Sequence, residues 1–302
     1  MKKLLTTMLF ACACTIGASA QLMYKISGNG LEKPSYIIGT HHLANTGFVN
    51  QIPGVKEALT NTDQMYGELP WDDMMNPDSM KYMQSAMTLP EGKKLKDILN
   101  TEQYAKLNAY LKKTMQVDLS SPQVEAQMGS MTPMAMTTQL TLISFMMKHM
   151  GEFDPTNTFD QYFQAQAKKN NEYVGGLETV AFQTETLYKS FPMSRQVELL
   201  MCFLNHTTFI EQMNEKITSA FYAQNLDALK TAMDEKMNNS CDNKPEEDDL
   251  LINNRNADWL GKMPAIMAAK PTFFAVGAAH LPGEKGVLEG LKKLGYTVEG
   301  VK

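Results

Sequence analysis

The 302-residue chain has four cysteines, and two of them, Cys12 and Cys14, fall near its N-terminus. The other two, Cys202 and Cys241, lie far apart in sequence and form no Cys-x-x-Cys pair. The sequence therefore offers neither a thiol-built structural zinc site nor a thiol-redox motif. Whether the two bond to each other stays open. An oxidising compartment favours pairing, but spacing alone does not bring two backbones to bridging distance. The chain also lacks any run of the ~20 apolar residues that a spanning helix needs. It has no basic cluster, and its formal net charge is -5. Nucleic acid and anionic lipid are thus poor candidates for its main partner. No fixed-period repeat of the solenoid kind is present.

The N-terminus carries Met1-Lys2-Lys3, an apolar run from Leu4 to Ala13, and a small-residue exit at Ala18-Ser19-Ala20. This order predicts a secretory leader over residues 1–20, cleaved after Ala20, and hence a periplasmic or secreted protein. Lipid anchoring through Cys12 is the weaker reading, because Phe10 is bulky for that motif. Losing Lys2 and Lys3 takes the charge from -5 to -7. The remaining residues, 21–302, suit one large domain or two small ones.

Short β-prone runs cluster at both ends: 24–27, 36–38, 64–68, 272–276 and 296–301. One further buried strand is expected at 173–178, and helical patterns fill most of the rest. Asn100 with Gln103, and Thr158 with Gln161, have capping-box spacing. The polar, acidic stretch 238–249 reads as an exposed loop. The expected fold is α/β (or α+β), a mixed sheet built from N- and C-terminal strands, with a helical insertion at roughly 71–170.

Two strand ends carry the same signature. Gly39-Thr40-His41-His42 follows Tyr36-Ile37-Ile38, and Gly277-Ala278-Ala279-His280 follows Phe273-Phe274-Ala275-Val276. Glycine permits a sharp exit or a close backbone approach. Ligands of open α/β sheets sit beyond the strands' carboxyl ends. His42 and His280 could therefore meet at one metal, with Glu68, at the end of another short strand, as third ligand. Two imidazoles and a carboxylate with an open position can activate water. His41 is a second ligand or a neighbour that steadies the first. His149 and His206, in helical stretches without companions, read as structural.

Of the 24 methionines, twelve crowd two segments, 74–87 and 128–150. Helix-core packing is the leading reading, ahead of an adaptable substrate groove and of Cu(I) binding.

The two Gly-x-x-His motifs, with Leu281-Pro282-Gly283, Gly286, Leu291 and Gly295-Tyr296 after the second, resemble the TraB/PrgY/GumN family, which includes the Tiki metalloproteases. Gly176-Leu177-Glu178-Thr179 with Gln183, and Arg255-Asn256, are similar to its middle motifs. The resemblance covers residues 21–302 in order. It implies a fold similar to the ChaN and erythromycin-esterase group. It further implies a divalent-metal hydrolase (Mn²⁺, Co²⁺ or Zn²⁺) acting on peptide-like substrates, with ligands at His42, Glu68 and His280. Glu178 would orient a ligand imidazole or act as a base, or else cap the helix at Thr179. Arg255 would stabilise an oxyanion or bridge to a site carboxylate. Thr40 would bind substrate or complete its turn. The competing reading is a non-catalytic protein that holds haem or a peptide in the same cleft.

Overall fold

The computed structural model describes residues 21–302 except 153 and 155. The leader expected over residues 1–20 lies outside the described residues. Six strands form one sheet: β1 (Met23–Ser27), β2 (Ser35–Thr40), β3 (Gln64–Gly67), β4 (Tyr173–Gly176), β5 (Thr272–Gly277) and β6 (Thr297–Gly300). Their order is β4-β3-β5-β2-β1-β6. β2 and β5 are parallel neighbours, as are β3 with β5 and β3 with β4, whereas β1 runs antiparallel to β2 and β6.

The central position of β2 and β5 follows from their composition. Ser-Tyr-Ile-Ile-Gly-Thr is buried throughout, and in β5 only Gly277 is less than fully buried. Strands covered on both faces read as continuous apolar runs. β6 instead alternates exposed and half-buried residues, in keeping with a sheet edge. The strand expected to be buried at 173–178 is shorter and lies on the opposite edge. Tyr173 is exposed there, and its ring leans on Tyr66 of β3.

Register determines where the four parallel strands end. Thr40 pairs with Gly277, Gly67 with Ala275, and Gly67 with Gly176. The segments that follow, beginning at His41, Glu68, Leu177 and Ala278, therefore leave the sheet on the same side.

Helices pack against this sheet around Trp259, Phe159, Phe163, Phe221, Phe273 and Phe274. A second apolar core forms between helices alone, from Leu95, Leu107, Leu111, Leu140, Leu200 and Phe203. Both expected capping boxes are present: Asn100 and Gln103 exchange hydrogen bonds at one helix start, Thr158 and Gln161 at another. Cys202 and Cys241 are disulfide-bonded, with Cα atoms 5.5 Å apart. The bridge ties the segment around Ser240 to the helix Met193–Asn205, where buried Arg195 also holds it through Glu247 and the Asp242 carbonyl. The acidic stretch expected as loop contains one short helix, Pro245–Asp248.

Buried Met128 and Met136 support helix-core packing, whereas Met75, Met80, Met146, Met147 and Met150 are exposed. His149 does have companions, contrary to expectation: its ring nitrogens meet Glu152 at 3.0 Å and Glu215 at 2.9 Å. Among the described residues, no helix is long and apolar enough to cross a membrane.

Candidate functional site

The turn after β5 is built by close approach. The Gly277 N–H donates to Glu68 Oε1 at 2.8 Å. A Cβ at Gly277 would sit 3.1 Å from that same oxygen, so a larger residue would push the carboxylate away. Three residues later, His280 is buried. Its Nδ1 lies 2.7 Å from Asn256 Oδ1, and Arg255 Nη1 lies 3.1 Å from its Nε2. Arginine can only donate. Nε2 must therefore accept, and the Nδ1–H donates to Asn256. Burial pushes the His280 imidazole down to about 4, against the pull of Glu68, so at neutral pH it is an uncharged lone-pair donor.

Arg255 links the carboxylates. It donates from Nε to Glu178 Oε1 at 2.7 Å and from Nη2 to Glu178 Oε2 at 3.0 Å and to Glu68 Oε2 at 2.7 Å. Gln183 donates to both acids, and Trp259 Nε1 donates to Glu178 Oε1 at 3.0 Å. Glu178 does not cap the next helix; Thr179 does, accepting from the Phe182 N–H. Of the two roles expected for Arg255, the salt bridge is present, and to both acids. Burial opposes ionisation of Glu68, but His280, Arg255, His42 and the Gly277 N–H together hold its carboxyl down to about 2. Its Oε1 is 3.9 Å from His280 Nε2.

The turn after β2 has a different environment. His42 Nδ1 is 2.6 Å from Asp160 Oδ2, and Thr40 Oγ1 donates to Asp160 Oδ1 at 3.0 Å. Thr40 thus anchors Asp160. The capping box at Thr158 and Gln161 starts the helix Phe159–Lys169 and sets Asp160 in its first turn. Asp160 pushes the His42 imidazole up to about 9. The His42 side chain is 69% exposed, so water screens part of that attraction. His41 points elsewhere. Its Nδ1 accepts from the Leu43 N–H, its Nε2 faces Thr218 Oγ1 at 3.2 Å, and its ring meets Phe221 edge-on. It makes no contact with Glu68 or His280, and burial pushes it down to about 4.

Glu68, Glu178, Arg255 and His280 are thus in direct contact, while His42 and Thr40 share Asp160 on the neighbouring strand end. Among the described residues, no three acidic, histidine or cysteine side chains stand arranged to hold a metal ion. The donor chemistry nonetheless fits one. Each of His42 and His280 presents Nδ1 to a side-chain oxygen, the usual outer support of a metal-bound imidazole, so Nε2 would be the ligand atom once His42 has lost its proton and Arg255 has left His280. Arg255 Nη1 now occupies the His280 lone pair.

Sequence reasoning alone did not single out Asp160. Its signal was the capping box, which places the second helical residue beside whatever lies at the helix N-terminus. Asn256 and Gln183 entered only through the family resemblance, since a buried amide has no periodic signature.

Residues 22–300 match the family model described as "TraB/PrgY/gumN family". A curated relative, "Metalloprotease TIKI homolog" of Nematostella vectensis, is 21% identical over 309 aligned positions, covering 89% of this chain and 65% of its own length. The chain thus spans a little less than two thirds of that relative. With the sheet, both Gly-x-x-His turns and the Glu178–Arg255 pair inside the matched residues, the chain belongs to the TraB/PrgY/gumN family.

Proposed function

We propose that this chain is an exported, metal-dependent hydrolase of peptide-like bonds. The observation that carries the reading is the shared treatment of His42 and His280, each fixed at Nδ1 by a side-chain oxygen, an arrangement in which Nε2 would be the ligand atom. The metalloprotease name of the distant relative supports the reaction class. His42, Glu68 and His280 would hold the ion, whether Mn²⁺, Co²⁺ or Zn²⁺. When bound, it would supply Lewis-acid polarisation and a water of lowered pKa. Asp160 and Asn256 are positioning residues that set the two rings. Arg255 and Gln183 hold the Glu68 and Glu178 carboxyl groups in place. Glu178, held by three donors, steadies Arg255, whose five N–H groups are all engaged by Glu178, Glu68, His280 and the Leu251 carbonyl, so Arg255 acts as a positioning residue. Thr40 acts through Asp160.

A second reading has a specific observation behind it. With Arg255 donating to His280 Nε2, the two histidines and Glu68 would serve as acid and base without an ion. Elemental analysis of the purified protein, beside a His42→Ala/His280→Ala variant of equal foldedness, decides between them. About one metal per chain in the native protein and none in the variant carries the first reading. No metal after reconstitution with each of the three ions would sink it. Turnover of a peptide library that depends on both histidines would then carry the second.

A further inference from the structure

A cleft of about 710 Å³ opens beside the site, between the helices Pro133–Lys148, Met193–Asn205 and Thr207–Tyr222 and the segment 279–286. That volume lies within the range of ligand pockets. Met134, Met213, Met233 and Met237 line it together with Phe209 and Ile210, and all six are only half-buried. Apolar side chains left partly wet inside a concavity mark a surface built to be covered. Thioether chains can repack around varied shapes, so the wall suits a class of apolar groups rather than one.

The cleft also touches the groups that hold the site. Leu251 lines it while the Leu251 carbonyl accepts from Arg255 Nη1 at 3.1 Å. Asn256, which holds His280 Nδ1, lines it too, as does Ala279. An occupant therefore packs against the supports of Arg255 and His280.

Charge narrows the occupant. The lining carries five carboxylates (Asp234, Glu235, Asp242, Asp248 and Glu284) against three lysines (Lys230, Lys236 and Lys285). Each lysine has an acidic partner, in Asp234, Asp248 and Asp249 respectively, and Glu235 pairs with Lys216, so the lining's excess negative charge rests on Asp242 and Glu284. A negatively charged flank would be repelled, and a cationic one attracted. We propose that this cleft binds an apolar peptide segment with a basic flank, as an extended subsite for the substrate of the neighbouring centre. The word "substrate" rests on the hydrolase reading above; the binding does not.

Isothermal titration of the purified protein with acetyl-Leu-Phe-Leu-Lys-amide tests it, beside the same peptide ending in Glu. Met213→Trp and Leu199→Trp fill the cleft from two walls, and Met147→Trp alters an exposed methionine outside it. The expected result is binding of the Lys peptide that weakens about tenfold in each filled variant and not in Met147→Trp. The Glu peptide should bind several-fold more weakly than the Lys peptide. If one filled variant fails to melt cooperatively, the other carries the test. Native-like affinity in a folded, filled variant overturns the proposal, as does equal affinity for the two peptides. Turnover is followed in parallel: binding without cleavage counts against the hydrolase reading and leaves the cleft assignment standing.

Discussion

His42 and His280 come from the same four-residue pattern at the ends of adjacent parallel strands, yet the fold gives them opposite electrostatics. His42 stands largely exposed against Asp160, which favours its charged form. His280 is enclosed by Trp259, Asn256 and Arg255, and burial favours its neutral form. A motif thus specifies where an imidazole emerges, while its neighbours specify its proton. The neighbours come from helices remote in sequence: Asp160 is 118 residues from His42, and Asn256 is 24 from His280.

The sharpest way to break the contrast is at Arg255, which makes its hydrogen bonds on the His280 side. Arg255→Ala would leave Glu68 and Glu178 as buried, uncompensated carboxylates, and should cost about 3–5 kcal/mol in chemical denaturation. Asp160→Asn, the matching change on the exposed side, should cost far less, since exposed ion pairs contribute about 0–1 kcal/mol. Equal losses would mean that the two turns are not differently buried.

Asn256→Ala comes next. It strands the His280 Nδ1–H and should cost about 1–3 kcal/mol. It should also abolish the single tautomer, which nitrogen chemical shifts of the ring would report. An unchanged tautomer would show that Arg255 alone sets it.

The pH dependence should run in opposite directions for the two rings. The folded pKa of His42, about 9, lies above its unfolded value near 6.5, so its contribution is complete below 6.5 and fades as pH rises through 9. The folded pKa of His280, about 4, lies below its unfolded value. Its contribution is complete above 6.5 and fades as pH falls from there through 4. The acid-side loss should be the larger, because solvent screens His42. Ring-proton titrations by NMR with denaturation curves at pH 4.5, 7 and 9.5 would test both slopes, and Asp160→Asn should flatten only the alkaline one.

Thr158→Ala is expected to have a small effect, about 1 kcal/mol, from the lost N-cap. Because that cap positions Asp160, the His42 titration should also move toward its ordinary value. A stability loss with no change at His42 would separate the cap from the site.

Much of the sheet was legible in residue order. Ile37-Ile38 and Phe273-Phe274 announce strands covered on both faces, and the glycines at 39 and 277 announce where those strands end. Both capping boxes were equally legible, being local hydrogen-bond patterns within four residues. Glu68 could be nominated because it follows a short apolar run. What spacing did not contain was partnership. The Cys202–Cys241 bond, the turning of His41 toward Thr218, and Asp160 beneath His42 each depend on two segments meeting after the helices have packed. The sequence by itself determined the strand ends and the residue types that emerge there, because strand burial and glycine turns are local physics. Only the tertiary structure decided which nitrogen of each ring is protonated and which carboxylate is paired, because desolvation and charge depend on groups brought within a few ångströms from across the chain.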